Sequence, residues 1–172
     1  MQNEKDHIKN LESREAIAKL KELVEDAHVC LFGTNVISGP PTQRPMSPIH
    51  TDEFGVLWFF SNINSDKNKE IGQNAKVQLS FINTSKNEFL CINGNAEVVV
   101  DQQKFKALWK PIVQAWFKGG DTDPELSLIK VTPLDSYYWD TKHGKMIAMI
   151  KTLASMVSGK VMDDGVEGKL TI

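Results

Sequence analysis

The sequence predicts a mainly β domain, a small antiparallel barrel with helices at its periphery. Three observations predict it. Short apolar runs alternate with turn signals along most of the chain, as in VLWFFS (56–61), KVQLSFIN (76–83) and FLCINGNAEVVV (89–100). These runs follow one another across turns of a few residues, which favours antiparallel neighbours over parallel crossovers. There are about six such runs against three or four helical segments, and a set of that size, as a meander or a Greek key, closes most simply as a small barrel. The length of 172 residues, with 41% hydrophobic and 24% charged content, fits a single domain.

The elements follow in order. Residues 1–10 are polar and expected to fray, leaving 11–172 as the one domain. Leu11, Ile17, Leu20, Leu23, Val24 and Ala27 recur at spacings of three or four, so 11–27 reads as an amphipathic helix with Ser13 as its N-cap. HVCLFGTN (28–35) is a short strand, and Ser38-Gly39-Pro40-Pro41 a turn. Residues 44–51 are extended, but Pro45 and Pro48 confine them to an edge or a bulged strand. Asp52 to Gly55 is a hairpin turn into the buried strand 56–61. A short helix over 65–74 is capped by Ser65 or Asp66 and anchored by Ile71. Strands 76–83 and 89–100 follow, with Gly94 marking a bulge. Asp101 opens a helix reaching Trp116 that Pro111 kinks or divides. Gly119-Gly120-Asp121 is a break, 126–139 a long extended run interrupted at Pro133, and 145–158 a helix ended by Gly159. The tail VEGKLTI is β-prone.

Composition removes several function classes. The net charge of −2 shows no basic excess, which argues against nucleic acid as partner. No run approaches the ~18 apolar residues of a membrane span. The start, MQNEKDHIKN, lacks a signal peptide's apolar segment, and Cys30 and Cys91 stand alone inside apolar runs, where they read as buried free thiols. A reducing, cytoplasmic setting is expected. His7, His28, His50 and His143 have no second ligand at metal-binding spacing, so no metal is expected. Neither a dinucleotide fingerprint nor a P-loop is present.

One constellation carries chemistry. Arg44 stands at one end of the strand–turn–strand unit, and Ser61, Ser65 and Lys67 at the other. Lys67 falls in the first turn of a helix, where the macrodipole disfavours a cation. An anion bound there relieves the conflict and uses the free N–H groups, and the forked guanidinium of Arg44 suits phosphate. Trp58, Phe59, Phe60, Trp109, Trp116, Phe117 and Trp139 supply flat apolar surface; most read as core, but Trp109, Trp116 and Phe117 lie beside the Gly-Gly break.

The motifs RPM (44–46), D-x-x-G followed by LWFFS (52–61), S-x-K-x-x-E-I (65–71), KVQLSF (76–81), ING-x-A (92–96), LWKP (108–111), WFKGGDTDPELSLIKV (116–131) and YYWD (137–140) stand in a characteristic order. In that order and spacing the chain resembles the pyridoxamine 5'-phosphate oxidase-like, FMN-binding split-barrel proteins, within them the bacterial general stress protein branch. The resemblance implies a six-stranded antiparallel split barrel and a homodimer with FMN in clefts between subunits. It implies that Arg44, Ser61, Ser65 and Lys67 hold the phosphate, that backbone at Pro45, Met46, Phe59 and Phe60 lines the ring, and that Trp109, Trp116 and Phe117 approach it. The function it implies is that of an oxidoreductase-like stress protein with a small-molecule redox substrate. The alternatives are a flavin-binding stress or sensor protein without turnover, a pyridoxamine phosphate oxidase proper, or a binder of haem or deazaflavin; FMN and FAD are both open. The C-terminal run GKVMDDGVEGKLTI lacks the arginine- and histidine-bearing segment with which true pyridoxamine phosphate oxidases grip substrate. No catalytic acid or base stands out.

Overall fold

In the computed structural model, which describes residues 8–37, 39–141 and 165–172, the apolar runs become strands of one sheet. In chain order the elements are β1 (Leu11–Glu12), α1 (Ser13–Ala27), β2 (Cys30–Thr34), β3 (Thr42–Met46), β4 (His50–Thr51), β5 (Leu57–Asn62), α2 (Asp66–Gln73), β6 (Lys76–Asn83), β7 (Glu88–Val99), α3 (Gln102–Leu108), β8 (Leu126–Thr141) and β9 (Gly165–Thr171). Short 3-10 turns occupy Pro111–Ala115 and Gly120–Thr122. The sheet runs β1-β9-β8-β7-β6-β2-β3, with β5 paired to β8 and to β4. Non-sequential neighbours (β2 beside β6, β5 beside β8) give the Greek-key order, and the sheet does not close, so the barrel is split. Among the described residues the sheet has nine strands where six were expected. Two of the additions, β1 and β4, are two-residue pairings too short to leave an alternating pattern. Pairing is antiparallel except for β1 on β9.

The long strand β8 organises the split. Along one side it pairs with β7; along the other, Leu126 to Val131 pair with β5 and Ser136 to Thr141 with β9. Pro133 therefore does not interrupt the run. It sits where one neighbour is exchanged for the other and its missing N–H is not needed there. Opposite it the register of β7 slips between Asn93 and Gly94, as the sequence predicts; a Cβ on Gly94 would lie 2.8 Å from the Thr132 carbonyl oxygen, so only glycine fits.

The main core lies under α1, whose Ala16, Leu20, Leu23 and Val24 pack on the inward side chains of the sheet, among them Cys30, Phe32, Leu79, Phe81, Leu90 and Ile92. Each fully buried Leu or Phe contributes roughly 1.5–3 kcal/mol. A second, smaller cluster joins Val56, Trp58, Phe105, Val113, Phe117, Leu126 and Leu128.

Several expectations change. Ser13 is the first residue of α1, not its cap; Glu12 holds the cap position with no side-chain bond. Residues 8–10, expected to fray, are tied to β9: Lys9 N–H donates to the Glu167 carbonyl (2.7 Å), and Lys169 N–H to Asn10 Oδ1 (2.9 Å). A Cβ on Gly168 would collide with the Lys9 carbonyl. The helix opened by Asp101, whose carboxylate caps the N–H groups of Gln103 and Lys104, stops at Leu108. Lys110 is extended (φ −130°, ψ 148°), because the residue before Pro111 avoids the helical region. Cys30 is buried, which pushes its thiol up to about 12, whereas Cys91 is only half-buried. His7, Ser38, His143 and the helix expected over 145–158 lie outside the described residues. Among the described residues no helix is long and apolar enough to cross a membrane.

Candidate functional site

The candidate residues meet on α2. The chain leaves β5 through a turn in which Asn62 Oδ1 accepts from Asn64 N–H (2.8 Å) and the Asn62 carbonyl from Ser65 N–H (3.1 Å). This reversal starts α2 at Asp66, with Ser65 at the cap. Among the described residues no side chain caps the helix, so its first-turn N–H groups have no side-chain acceptor there. Lys67 lies in that turn, as predicted.

One face of α2 closes on itself. Asn68 is buried and donates to Ser127 Oγ (2.9 Å) while accepting from Ser61 Oγ (2.8 Å); Ser127 Oγ donates back to the Ser61 carbonyl (2.9 Å). Ser61 and Ser127 are themselves buried. The half-buried Ser65 hydroxyl lies 3.4 Å from Ser61 Oγ. Ser61, expected among the phosphate ligands, thus gives its hydroxyl to the helix–sheet junction.

The other face gathers charge. Arg44 Nη1 donates to Thr34 Oγ1 (2.7 Å) and, at 3.4 Å, to the Phe32 carbonyl; its Nη2 donates to Glu70 Oε2 (2.9 Å). The fully buried Thr34 hydroxyl also bonds Glu70. The Thr34 hydrogen bond, with Arg44, holds the Glu70 carboxyl below the usual carboxylate range. Burial and the Arg44 guanidinium pull the Lys67 ammonium below the usual lysine range. Among the described residues Lys67 has no hydrogen-bond or ion-pair partner. Lys67 feels the charge of Arg44, Arg44 is paired with Glu70, and the start of α2 lies alongside, an arrangement suited to an anion.

Two sheet edges lie open near these groups. Within the described residues β3 pairs only with β2, and beyond Trp58 β5 pairs only with β8. Pro45 is exposed on the first edge and Met46 packs partly into the main core; Phe59 and Phe60 lie on the second. The aromatic set separates. The Phe59 ring is fully buried edge-on to Phe32 (5.3 Å), and the Phe117 ring belongs to the second cluster. Trp109 packs on Phe60 (5.7 Å), while Trp116 is 72% exposed beside Ile112 at 63%. Of the three aromatics expected near a flavin, Trp116 is exposed, Trp109 half-buried and Phe117 buried.

Sequence reasoning did not single out Thr34, Asn68, Glu70 or Ser127 as site residues. Glu70 stood three positions after Lys67, the one local signal available; Thr34 and Ser127 come from distant strands and left none. Two surface cavities, about 430 Å³ between α2 and β7 and about 860 Å³ between α1, β8 and β9, are not lined by Arg44, Ser61, Ser65 or Lys67. An acidic trio, Glu22, Asp26 and Glu88, lies elsewhere; Lys86 pairs with Asp26 (2.6 Å) and Asn83 donates to Glu88 (2.9 Å).

The sequence profile of the pyridoxamine 5'-phosphate oxidase-like family matches residues 15–163. The fold is similar to a chain of Jannaschia sp. CCS1 assigned as a general stress protein 26, at TM-score 0.78 and 22% identity, covering 93% of this chain and 100% of that one. It is also similar to the general stress FMN/FAD binding protein of Xanthomonas citri, at TM-score 0.64 and 26% identity, over 74% of this chain and 90% of that one. The protein bli-3 of Neurospora crassa is 26% identical over 104 residues, 55% of this chain; the match spans 50% of that relative's length.

Proposed function

We propose a function for this chain on one premise: it belongs to the pyridoxamine 5'-phosphate oxidase-like family. The function is flavin binding in a general stress protein, with FMN anchored by its phosphate between Arg44, Lys67, the Ser65 hydroxyl and the start of α2. The observation that carries this reading is the half-buried Lys67, without a partner among the described residues and set against Arg44. A terminal phosphate monoester is a compact dianion that answers both cations, which favours FMN over FAD. The similar Xanthomonas citri protein is described as binding FMN or FAD, which supports the flavin but not the choice.

The bound flavin would supply electron transfer to a small-molecule redox partner; the protein's share is to hold and orient it. Arg44 and Lys67 fix the phosphate end. The open edges at Pro45–Met46 and Phe59–Phe60 offer backbone groups to the ring, and Trp116 offers an uncommitted aromatic face. We propose further that the site is completed by a second copy of the chain, in a homodimer. The outer sheet face supports this: Ile82, Phe89 and Trp139 are register neighbours on it and each is 38% exposed or more. Exposed apolar surface of this kind marks contact sites.

The test is the spectrum of the protein as purified. A flavin spectrum, with FMN released on denaturation, supports the reading. Colourless protein that fails to bind added FMN at micromolar levels overturns it. Light scattering that finds a flavin-loaded monomer overturns the dimer.

A further inference from the structure

We propose that Glu70 is a positioning residue of the anion site: it holds the Arg44 fork in place and, as a resident negative charge, sets how strongly the site attracts phosphate. The inference rests on the phosphate reading above and deepens it. Its basis is geometric. Glu70 Oε2 accepts from Arg44 Nη2 at 2.9 Å, Arg44 Nη1 donates to Thr34 Oγ1 at 2.7 Å, and the Thr34 hydroxyl bonds Glu70 in turn, with the Thr42 carbonyl 3.3 Å from it. Three groups from β2, β3 and α2 close a ring that fixes the guanidinium plane. A guanidinium has five N–H donors, and this ring together with the Phe32 carbonyl engages three of them. Among the described residues the other two meet no acceptor and could meet a ligand.

Charge gives the second half of the argument. Arg44 and Lys67 bring two positive charges and Glu70 one negative, while the neighbouring Asp66 is exposed and paired with Lys69 (3.0 Å). A phosphate seated on Arg44 stands close to the Glu70 carboxylate, and at such separations like charges at a partly exposed site repel appreciably. The site therefore carries a built-in opponent of its own ligand, retained because the same carboxylate orients the arginine. Glu70 acts on the charged end of a flavin and has no lever on a flavin lacking phosphate.

The experiment compares FMN with riboflavin, titrated against purified apo protein at low salt. Glu70→Gln keeps the shape and an acceptor for Arg44 but deletes the charge. FMN should bind about tenfold tighter than to the parent, riboflavin should be unchanged, and the FMN gain should shrink in high salt. Glu70→Asp, which keeps the charge, should not tighten FMN, and it provides a second variant if the first folds poorly. The inference is overturned if Glu70→Gln weakens FMN, if it shifts FMN and riboflavin equally, or if Glu70→Asp tightens FMN as much. A parent protein that binds FMN no better than riboflavin sinks the phosphate reading itself and this inference with it; a parent that prefers FMN while Glu70→Gln shows no gain sinks only the inference.

Discussion

Neighbouring residues on α2 illustrate opposite uses of a polar side chain. Asn68 is buried, and both ends of its amide are engaged by Ser61 and Ser127. Lys67 is half-buried and engaged by nothing among the described residues, while Arg44 pulls its pKa down. The first network is closed: its groups find partners inside the chain, and its work is to lock α2 onto β5 and β8. The second is open: it assembles excess positive charge that the fold does not neutralise. A closed polar network stabilises a junction, whereas a perturbed, unsatisfied charge is a frequent feature of functional sites. Ser61 and Lys67, which the sequence places in one constellation, fall on different sides of that line.

The comparison breaks most sharply at the cations. If Arg44 and Lys67 hold the phosphate as proposed, replacing both by Ala removes two charge-assisted contacts, each about 1.5–3 kcal/mol, and FMN affinity should fall on the order of a hundredfold or more in a fluorescence titration. Unchanged affinity would move the phosphate elsewhere. Next comes Asn68→Ala, which takes from the buried Ser61 hydroxyl its 2.8 Å acceptor and from Ser127 Oγ its amide donor. It should cost about 2–3 kcal/mol in urea unfolding and weaken FMN less than Lys67→Ala does. A larger effect on FMN than on stability would place Asn68 in the ligand site.

A smaller effect is expected from pH. In the proposed site Lys67 would have to be charged to hold the phosphate, so its contribution would be fully present at low pH and lost as pH rises through its own pKa. Burial and Arg44 depress that pKa, so FMN affinity should begin to fall below 10.5. Lys67→Arg should move this decline to higher pH, and a profile unaltered by that substitution would assign the titration to another group. The smallest effect belongs to Trp116→Ala. At 72% exposure its loss should change stability by no more than about 0.5 kcal/mol while altering the spectrum of bound flavin. Substantial destabilisation of a flavin-free sample would show that Trp116 is a folding residue instead.

The fold was largely legible because its signals are local. Alternation in KVQLSFIN gave β6, whose Val77, Leu79 and Phe81 are buried as the period requires. Pro45 marked an edge strand, and β3 is paired on one side only within the described residues. Gly94 marked the bulge. What escaped depends on distance along the chain. The parallel pairing of Leu11 with Leu170 has no local trace, and the handover on β8 made Pro133 look like an interruption. The site was legible by half. Arg44 and Lys67 are chemically conspicuous, but the partner that holds Arg44 lies 26 positions away, and only the packing of α2 against β2 and β3 brings Glu70 to it.

On the proposed reading an anion is the partner that Lys67 lacks among the described residues. FMN titration of Lys67→Ala, run beside its thermal melt, tests it most directly. The account predicts a dissociation constant raised about tenfold or more with a melting temperature like the parent's. A parental dissociation constant, or a loss of affinity that merely follows a loss of stability, would contradict it.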